Sequence, residues 1–220
     1  MDDETFHDAS ALIAAIMREL MDFPDDTLGV MEVLAGIAGQ DLSEENFSAP
    51  KPQRLAACRL LPQCVASGLV VSPKVCGAIA ALEDRMHWFQ TSHYSDDTMG
   101  QPGYMENYAA CEIIGSRGFF GGDDFRLGLM ILGSGLHYPD HYHAAPELYW
   151  LLTGPIEYRR DPGGFQPAGT ASTIWNEPNV VHSMKMGDSP LLCVWAWTRD
   201  VDKPPVLVND VLGITSSAPT

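Results

Sequence analysis

The stretch Gly135–Gly154, GLHYPDHYHAAPELYWLLTG, decides how the rest of the chain is read. Its odd positions set His141, His143, Glu147 and Tyr149 in a row, and residues two apart along an extended strand point to the same face. The inward face of a sheet is normally apolar, and burying even one neutral polar group without a partner costs roughly 2–7 kcal/mol. Two imidazoles and a carboxylate on one face therefore need a common partner, and a metal ion is such a partner. Imidazole nitrogen and carboxylate oxygen suit one divalent first-row ion (Fe, Mn, Zn, Ni or Co) rather than calcium.

The spacing is more specific than the residue types. Gly135, five residues, His141-x-His143, three residues, Glu147, six residues and Gly154 together resemble the first motif of the cupin superfamily, G(X)5HXH(X)3,4E(X)6G, at every fixed position. The resemblance implies a small β-barrel, a double-stranded β-helix, that takes a fourth ligand, a histidine, from a later strand. His182 is the only histidine downstream, and it follows Pro178. Here the chain departs from the usual second motif, PxGxxH: Pro178-Asn179-Val180-Val181-His182 is one residue shorter and has no glycine. His141, His143, Glu147 and His182 make a set of three nitrogens and one oxygen. An octahedral ion so held keeps two positions open, which suits catalysis better than a structural role.

Composition narrows the partners. A formal charge of −16 over 220 residues leaves no basic stripe to neutralise a phosphate backbone, so no nucleic-acid partner is expected. Cys58, Cys64, Cys76, Cys111 and Cys193 are scattered among apolar residues with no CxxC pair, the usage of reduced core thiols in a cytoplasmic protein. The opening MDDETFHDAS has no secretory pattern, and no apolar run approaches the roughly 18–20 residues of a membrane span.

Periodicity divides the chain. Apolar residues at helical spacing predict helices over Asp8–Asp22, Leu28–Gly39, Pro52–Ala66 and Pro73–Arg85. This portion, with the connecting loop up to Gly103, reads as a helical extension (residues 1–103) packed on the barrel; it also has the option of closing the barrel mouth or making a homodimer contact. The irregular segment Met86–Gly103 has the composition of a lid, with His87 and His93 outside any ligand spacing. From Tyr104 the pattern changes to short runs broken by Gly, Pro and Asp: Tyr104–Gly115, Phe119–Gly121, Phe125–Gly133, His141–Leu152, Ile156–Arg160, Thr170–Trp175 and Leu191–Thr198, with a further strand near Val206–Val208 before a Ser/Thr tail. The fold class is thus mainly β with a helical N-terminal part, the cupin unit spanning residues 104–220.

Two further signals concern chemistry. Tyr149 follows Glu147 by two residues and should project into the same cavity, where a divalent cation would lower a phenol pKa from about 10 and make a base of it. Trp195 and Trp197 share one face of their strand and Trp175 lies on another, so an indole box that attracts a cationic group is expected beside the ion. With Tyr138 ahead of the histidines and His182 thirty-five residues after Glu147, the site region resembles the cupin-type dimethylsulfoniopropionate lyases, which also carry a helical N-terminal portion. That resemblance implies a carbon–sulfur lyase forming dimethylsulfide and acrylate from a zwitterionic sulfonium substrate. It assigns His141, His143, Glu147 and His182 to the metal, Tyr149 and Tyr138 to catalysis, and Trp197 to the substrate pocket. The ligands alone also suit an iron-dependent dioxygenase for a small organic acid, an isomerase, or a non-enzymatic binding module; oxygen consumption separates the first of these from an elimination.

Overall fold

Leu12, Ile13, Ile16 and Leu20 are all buried on one face of helix α1 (Asp2–Leu20) in this computed structural model, which describes residues 2–208. Helix α2 (Val30–Ala38) follows, then α3 (Leu61–Gly68) and α4 (Pro73–Leu82), each of the last two opened by a proline whose missing N–H costs nothing in a first turn. The helix expected from Pro52 begins later. Gln53 has both backbone groups committed to an extended neighbour, its N–H to Met86 O and its carbonyl to Trp88 N, so helical geometry starts only with the 3-10 turn Ala56–Leu60.

The β portion comprises β1 (Trp88–Phe89), β2 (Tyr108–Ile114), β3 (Arg126–Leu132), β4 (His137–Tyr142), β5 (Glu147–Leu151), β6 (Ile156–Arg160), β7 (Gln166–Ala168), β8 (Thr173–Asn176), β9 (His182–Met186), β10 (Leu191–Trp197) and β11 (Val206–Leu207), with a short helix α5 (Asp96–Met99) before β2. They pair antiparallel into a six-stranded sheet, β1-β2-β3-β10-β5-β8, and a five-stranded sheet, β11-β4-β9-β6-β7. This is the cupin arrangement, built as two facing sheets; among the described residues no ladder joins their edges into a closed barrel. The Ser/Thr-rich tail expected after β11 lies outside the described residues.

Three layers result, and alternation along the strands shows why. On β10, Leu192, Val194 and Ala196 pack with the helices, whereas Leu191, Cys193, Trp195 and Trp197 pack with the second sheet. On β5, Leu148 and Trp150 face the helices while Tyr149 and Leu151 face inward. The six-stranded sheet is therefore covered on both faces, and β2, β5 and β10 are buried at every residue. The helical portion is the third layer, sharing one continuous core with the sheet it covers.

Two expected strands differ. Phe119–Gly121 contributes only isolated bridges at Phe120, to Phe47 and Ile114. His141–Leu152 is two strands, not one: the chain bends at Ala144–Ala145 before Pro146, which has no N–H to give a ladder, and β4 and β5 end in different sheets. His141, His143, Glu147 and Tyr149 therefore meet across the interior, rather than along one face of one strand.

Candidate active site

The bend at Ala144–Pro146 aims the histidines from one sheet at the carboxylate of the other. His141 on β4 is directly paired with His182 on β9, Glu147 opens β5, and His143 occupies the connection between them. All four are buried. Each imidazole has Nδ1 against a backbone carbonyl: His141 to Pro139 O at 2.8 Å, His143 to Ala145 O at 2.7 Å and His182 to Val180 O at 2.8 Å. A carbonyl only accepts, so Nδ1 carries the proton and Nε2 keeps its lone pair. One ring nitrogen from each of the three histidines lies within 4.8 Å of the others.

Two of the three inward nitrogens lack a hydrogen-bond partner in the protein. His141 Nε2 has none, and His182 Nε2 lies 3.3 Å from Glu147 Oε2 without hydrogen-bond geometry. His143 Nε2 is 3.2 Å from the same oxygen. Converging buried lone pairs beside a carboxylate are costly without a cation, and the fixed Nδ1 protons are the outer support that metal-binding histidines use. The donor set fits a divalent ion. Burial, followed by the neighbouring His182 and His143, holds the His141 pKa well below its ordinary 6.5. Burial alone would raise Glu147, but the His143 and His182 rings set against its carboxylate, His143 first, outweigh it and hold the carboxyl well below the usual range.

The shortened second motif reaches the same point by another turn. Asn179 takes the left-handed conformation, φ 60°, that glycine more often occupies, and its N–H donates to His143 O at 2.8 Å. The turn before His182 is thus tied to another histidine of the cluster.

Beside the cluster lies a cavity of about 260 Å³, walled in part by Tyr138, Tyr149, Met130, Trp195, Trp197 and Glu147. Tyr149 faces this cavity, its ring centroid 6.4 Å from that of His182. Burial first, and the Glu147 carboxylate second, hold its phenol well above the ordinary value. Tyr138 stacks on His141, with centroids 4.1 Å apart and planes 13° from parallel, and shares a 2.9 Å hydroxyl contact with Tyr94. Tyr94 belongs to the segment expected as a lid, where Phe89, Thr91, Ser92 and His93 also line the cavity. That segment is tied down by Gln101, whose amide makes two bonds with the His137 backbone, at 2.5 and 2.8 Å. His87 lies apart, its Nδ1 on Lys51 O at 2.8 Å.

Comparison with known proteins now decides the family. The family model for dimethylsulfoniopropionate lyases matches residues 36–193, from α2 into β10. The chain belongs to that family. It is 27% identical over 104 residues to dimethylsulfoniopropionate lyase DddQ of Ruegeria pomeroyi, a match covering 47% of this chain and 52% of that protein. The matched stretch therefore spans about half the length of this curated relative. Two solved structures share the fold over nearly the whole chain. The crystal structure of DddQ from Ruegeria pomeroyi superposes with a TM-score of 0.68 at 21% identity, covering 92% of this chain and 96% of that one. A chain from the crystal structures of the lyases RdDddP and RnDddQII gives 0.70 at 17%, covering 91% and 97%.

In this member of the dimethylsulfoniopropionate lyase family the expected indole box is smaller than the sequence suggested. Trp175 belongs to the helix-facing side of β8, packed so tightly over Gly29 that a Cβ there would stand 2.1 Å from the ring, and its Nε1 donates to Glu177 at 2.8 Å. It does not reach the cavity. Trp195 does, with Nε1 spent on Leu129 O at 3.1 Å, so only its faces are available. Trp197 lines the cavity and also donates Nε1 to Glu147 Oε1 at 2.8 Å, its ring 4.6 Å from His143. Asn176 approaches Glu147 Oε2 at 3.3 Å from β8.

Asn176, which bonds to Glu147, and Glu112 and Arg126, which line the cavity, are residues the sequence reading missed. Only Glu112 carries a signal in the sequence, a lone carboxylate inside the apolar run YAACEII of β2.

Proposed function

We propose that this protein cleaves dimethylsulfoniopropionate to dimethylsulfide and acrylate by a β-elimination that Tyr149 starts, with one divalent first-row metal ion held by His141, His143, Glu147 and His182. The observation that carries the reading is the convergence of three buried imidazoles, the inward nitrogens of His141 and His182 without a hydrogen-bond partner, beside a phenol that faces the same cavity.

When bound, the ion supplies a Lewis-acid seat for the substrate carboxylate, which acidifies the neighbouring C–H, and positive charge that favours a phenolate. Tyr149 as phenolate takes the α-proton. The C–H electron pair becomes the second bond of the Cα=Cβ double bond of acrylate, the β-carbon–sulfur bond breaks, and sulfur leaves with the pair of that C–S bond as neutral dimethylsulfide. The sulfonium is a good leaving group, so no strong acid is needed on the far side. Burial and Glu147 both oppose the phenolate, which explains why base and ligand set stand together. Tyr138, stacked on His141, orients the carboxylate end, and the faces of Trp195 and Trp197 receive the sulfonium.

An oxygenase would use the same ligands but leave Tyr149 without a task. The test is purified protein with dimethylsulfoniopropionate, assayed for headspace dimethylsulfide, acrylate and dissolved oxygen. Equimolar products, no oxygen uptake, and loss of turnover on chelation are expected; oxygen uptake, or turnover indifferent to chelation, contradicts the reading. The compartment we propose is the cytoplasm, supported by five buried cysteines that are all unbridged; among the described residues no helix is long and apolar enough to cross a membrane.

A further inference from the structure

The inner face of the six-stranded sheet carries two cross-strand rows of side chains. Glu112, Gly128, Trp195 and Tyr149 are successive partners in one row. Arg126, Trp197, Glu147 and Asn176 form the next. Gly128 leaves its place empty and the Trp195 indole lies over it, so close that a Cβ would stand 2.7 Å from the ring. Glu112 is therefore the neighbour of the Trp195 face, across a position with no side chain.

Glu112 is only 2% exposed and lines the same cavity as Trp195, Trp197 and Tyr149. Its Oε2 accepts the Arg117 N–H at 2.8 Å, and its Oε1 has a longer contact, 3.4 Å, with Arg126 Nη1. A carboxylate offers about four lone-pair sites, so these two partners leave capacity unused. A charge buried at this depth is unfavourable without compensation; the partly exposed Arg126 pairs with it at 3.4 Å, a long contact that leaves room for a second cation, and the clamp on the 115–117 turn by itself needs an acceptor but not a charge.

We propose that Glu112 supplies the negative charge that selects the onium end of a betaine-type substrate, a short carboxylate bearing a sulfonium or quaternary ammonium group. Trp195 forms the π-face beside that group, and Arg126 holds the Glu112 carboxylate in position. This rests on the lyase reading of the cavity and adds a charge to what the indole faces provide.

The variant that tests it is Glu112→Gln, which keeps an acceptor for the Arg117 amide and removes the charge. Two ligands are compared: dimethylsulfoniopropionate, and 3-(methylthio)propionate, which has the same carboxylate and an uncharged sulfur. Glu112→Gln should raise KM for the sulfonium substrate about tenfold and leave the inhibition constant of the thioether unchanged, with kcat held within about twofold, the pattern of lost binding rather than lost chemistry. Glu112→Asp, which keeps the charge, should retain the preference for the sulfonium. Equal weakening of both ligands, an unchanged KM, or equal losses in the Asp and Gln variants would overturn the proposal. Calorimetric binding of the thioether and of the trimethylammonium analogue decides the same question in protein that turns nothing over, an outcome that would fall on the lyase reading alone.

Discussion

Glu147 is held from three directions, and each contact leaves its carboxylate less freedom. Trp197 Nε1 fixes Oε1 at 2.8 Å, while His143 at 3.2 Å and Asn176 at 3.3 Å approach Oε2. A ligand oriented in this way loses little freedom when an ion binds, and removing an orienting partner of a metal ligand typically costs 10–100-fold in affinity. Asn176→Ala should therefore weaken metal binding by about tenfold or more in a chelator competition, with the helical and strand signals of the protein unchanged; an unaltered dissociation constant would remove Asn176 from the support. His141, His143 and Glu147 were legible from spacing alone, because the motif is local. Asn176 and the second role of Trp197 were not: their bonds to Glu147 span 29 and 50 residues of sequence, and no local pattern records such a pairing.

At the level of elements, the decisive fact is a sheet buried on both faces. Alternation of polar and apolar residues shows which side of a strand is wet, and β2, β5 and β10 are buried on both sides because helices cover one and the second sheet covers the other. The pairing of Trp195 with Trp197 on one face survives in the sequence, since they are two residues apart. The face of Trp175 does not, and the structure turns it toward α2. Trp175→Ala should accordingly destabilise the fold by about 3–5 kcal/mol, the usual cost of deleting a large buried aromatic, while leaving KM at the wild-type value. Denaturant unfolding with steady-state kinetics measures both, and a raised KM with unchanged stability would return Trp175 to the cavity. The split of His141–Leu152 into two strands had a visible cause in Pro146, but its result, ligands delivered from opposite sheets, depends on a topology that residue spacing does not contain. Asn179 at φ 60° is the converse case: a residue tolerant of left-handed geometry stood where the motif lacked its glycine.

Across the whole molecule, buried titratable groups set a pH window for stability. His141 is held below its ordinary 6.5 by burial and by His182 and His143, so below that pH the unfolded chain binds a proton the folded protein resists, and stability falls as the medium becomes acidic. Cys64 and Cys76 are pushed by burial from 9.0 up to about 12 and about 11, and Tyr108 by burial from 10.0 up to about 12. Above about pH 9 the unfolded chain releases protons that the folded chain keeps, so stability falls again. Thermal midpoints of the metal-free protein should form a plateau between these limits and decline on both sides; a midpoint rising steadily from pH 9 to 11 would contradict the burial of these groups. The helical extension and the succession of strands were readable because periodicity is a property of each segment. The facing of the two sheets, and the cavity between them, belong to the assembled chain.

The central claim is that a phenol beside a metal-binding cluster starts the elimination. Tyr149→Phe removes one oxygen atom from that cavity and none of the proposed ligands, so the most direct measurement is its headspace dimethylsulfide output and metal content, taken together against the wild type. A variant that keeps its full complement of metal and forms dimethylsulfide at less than about one-hundredth of the wild-type rate is the expected result. Wild-type output from a metal-loaded Tyr149→Phe would contradict the account at its centre.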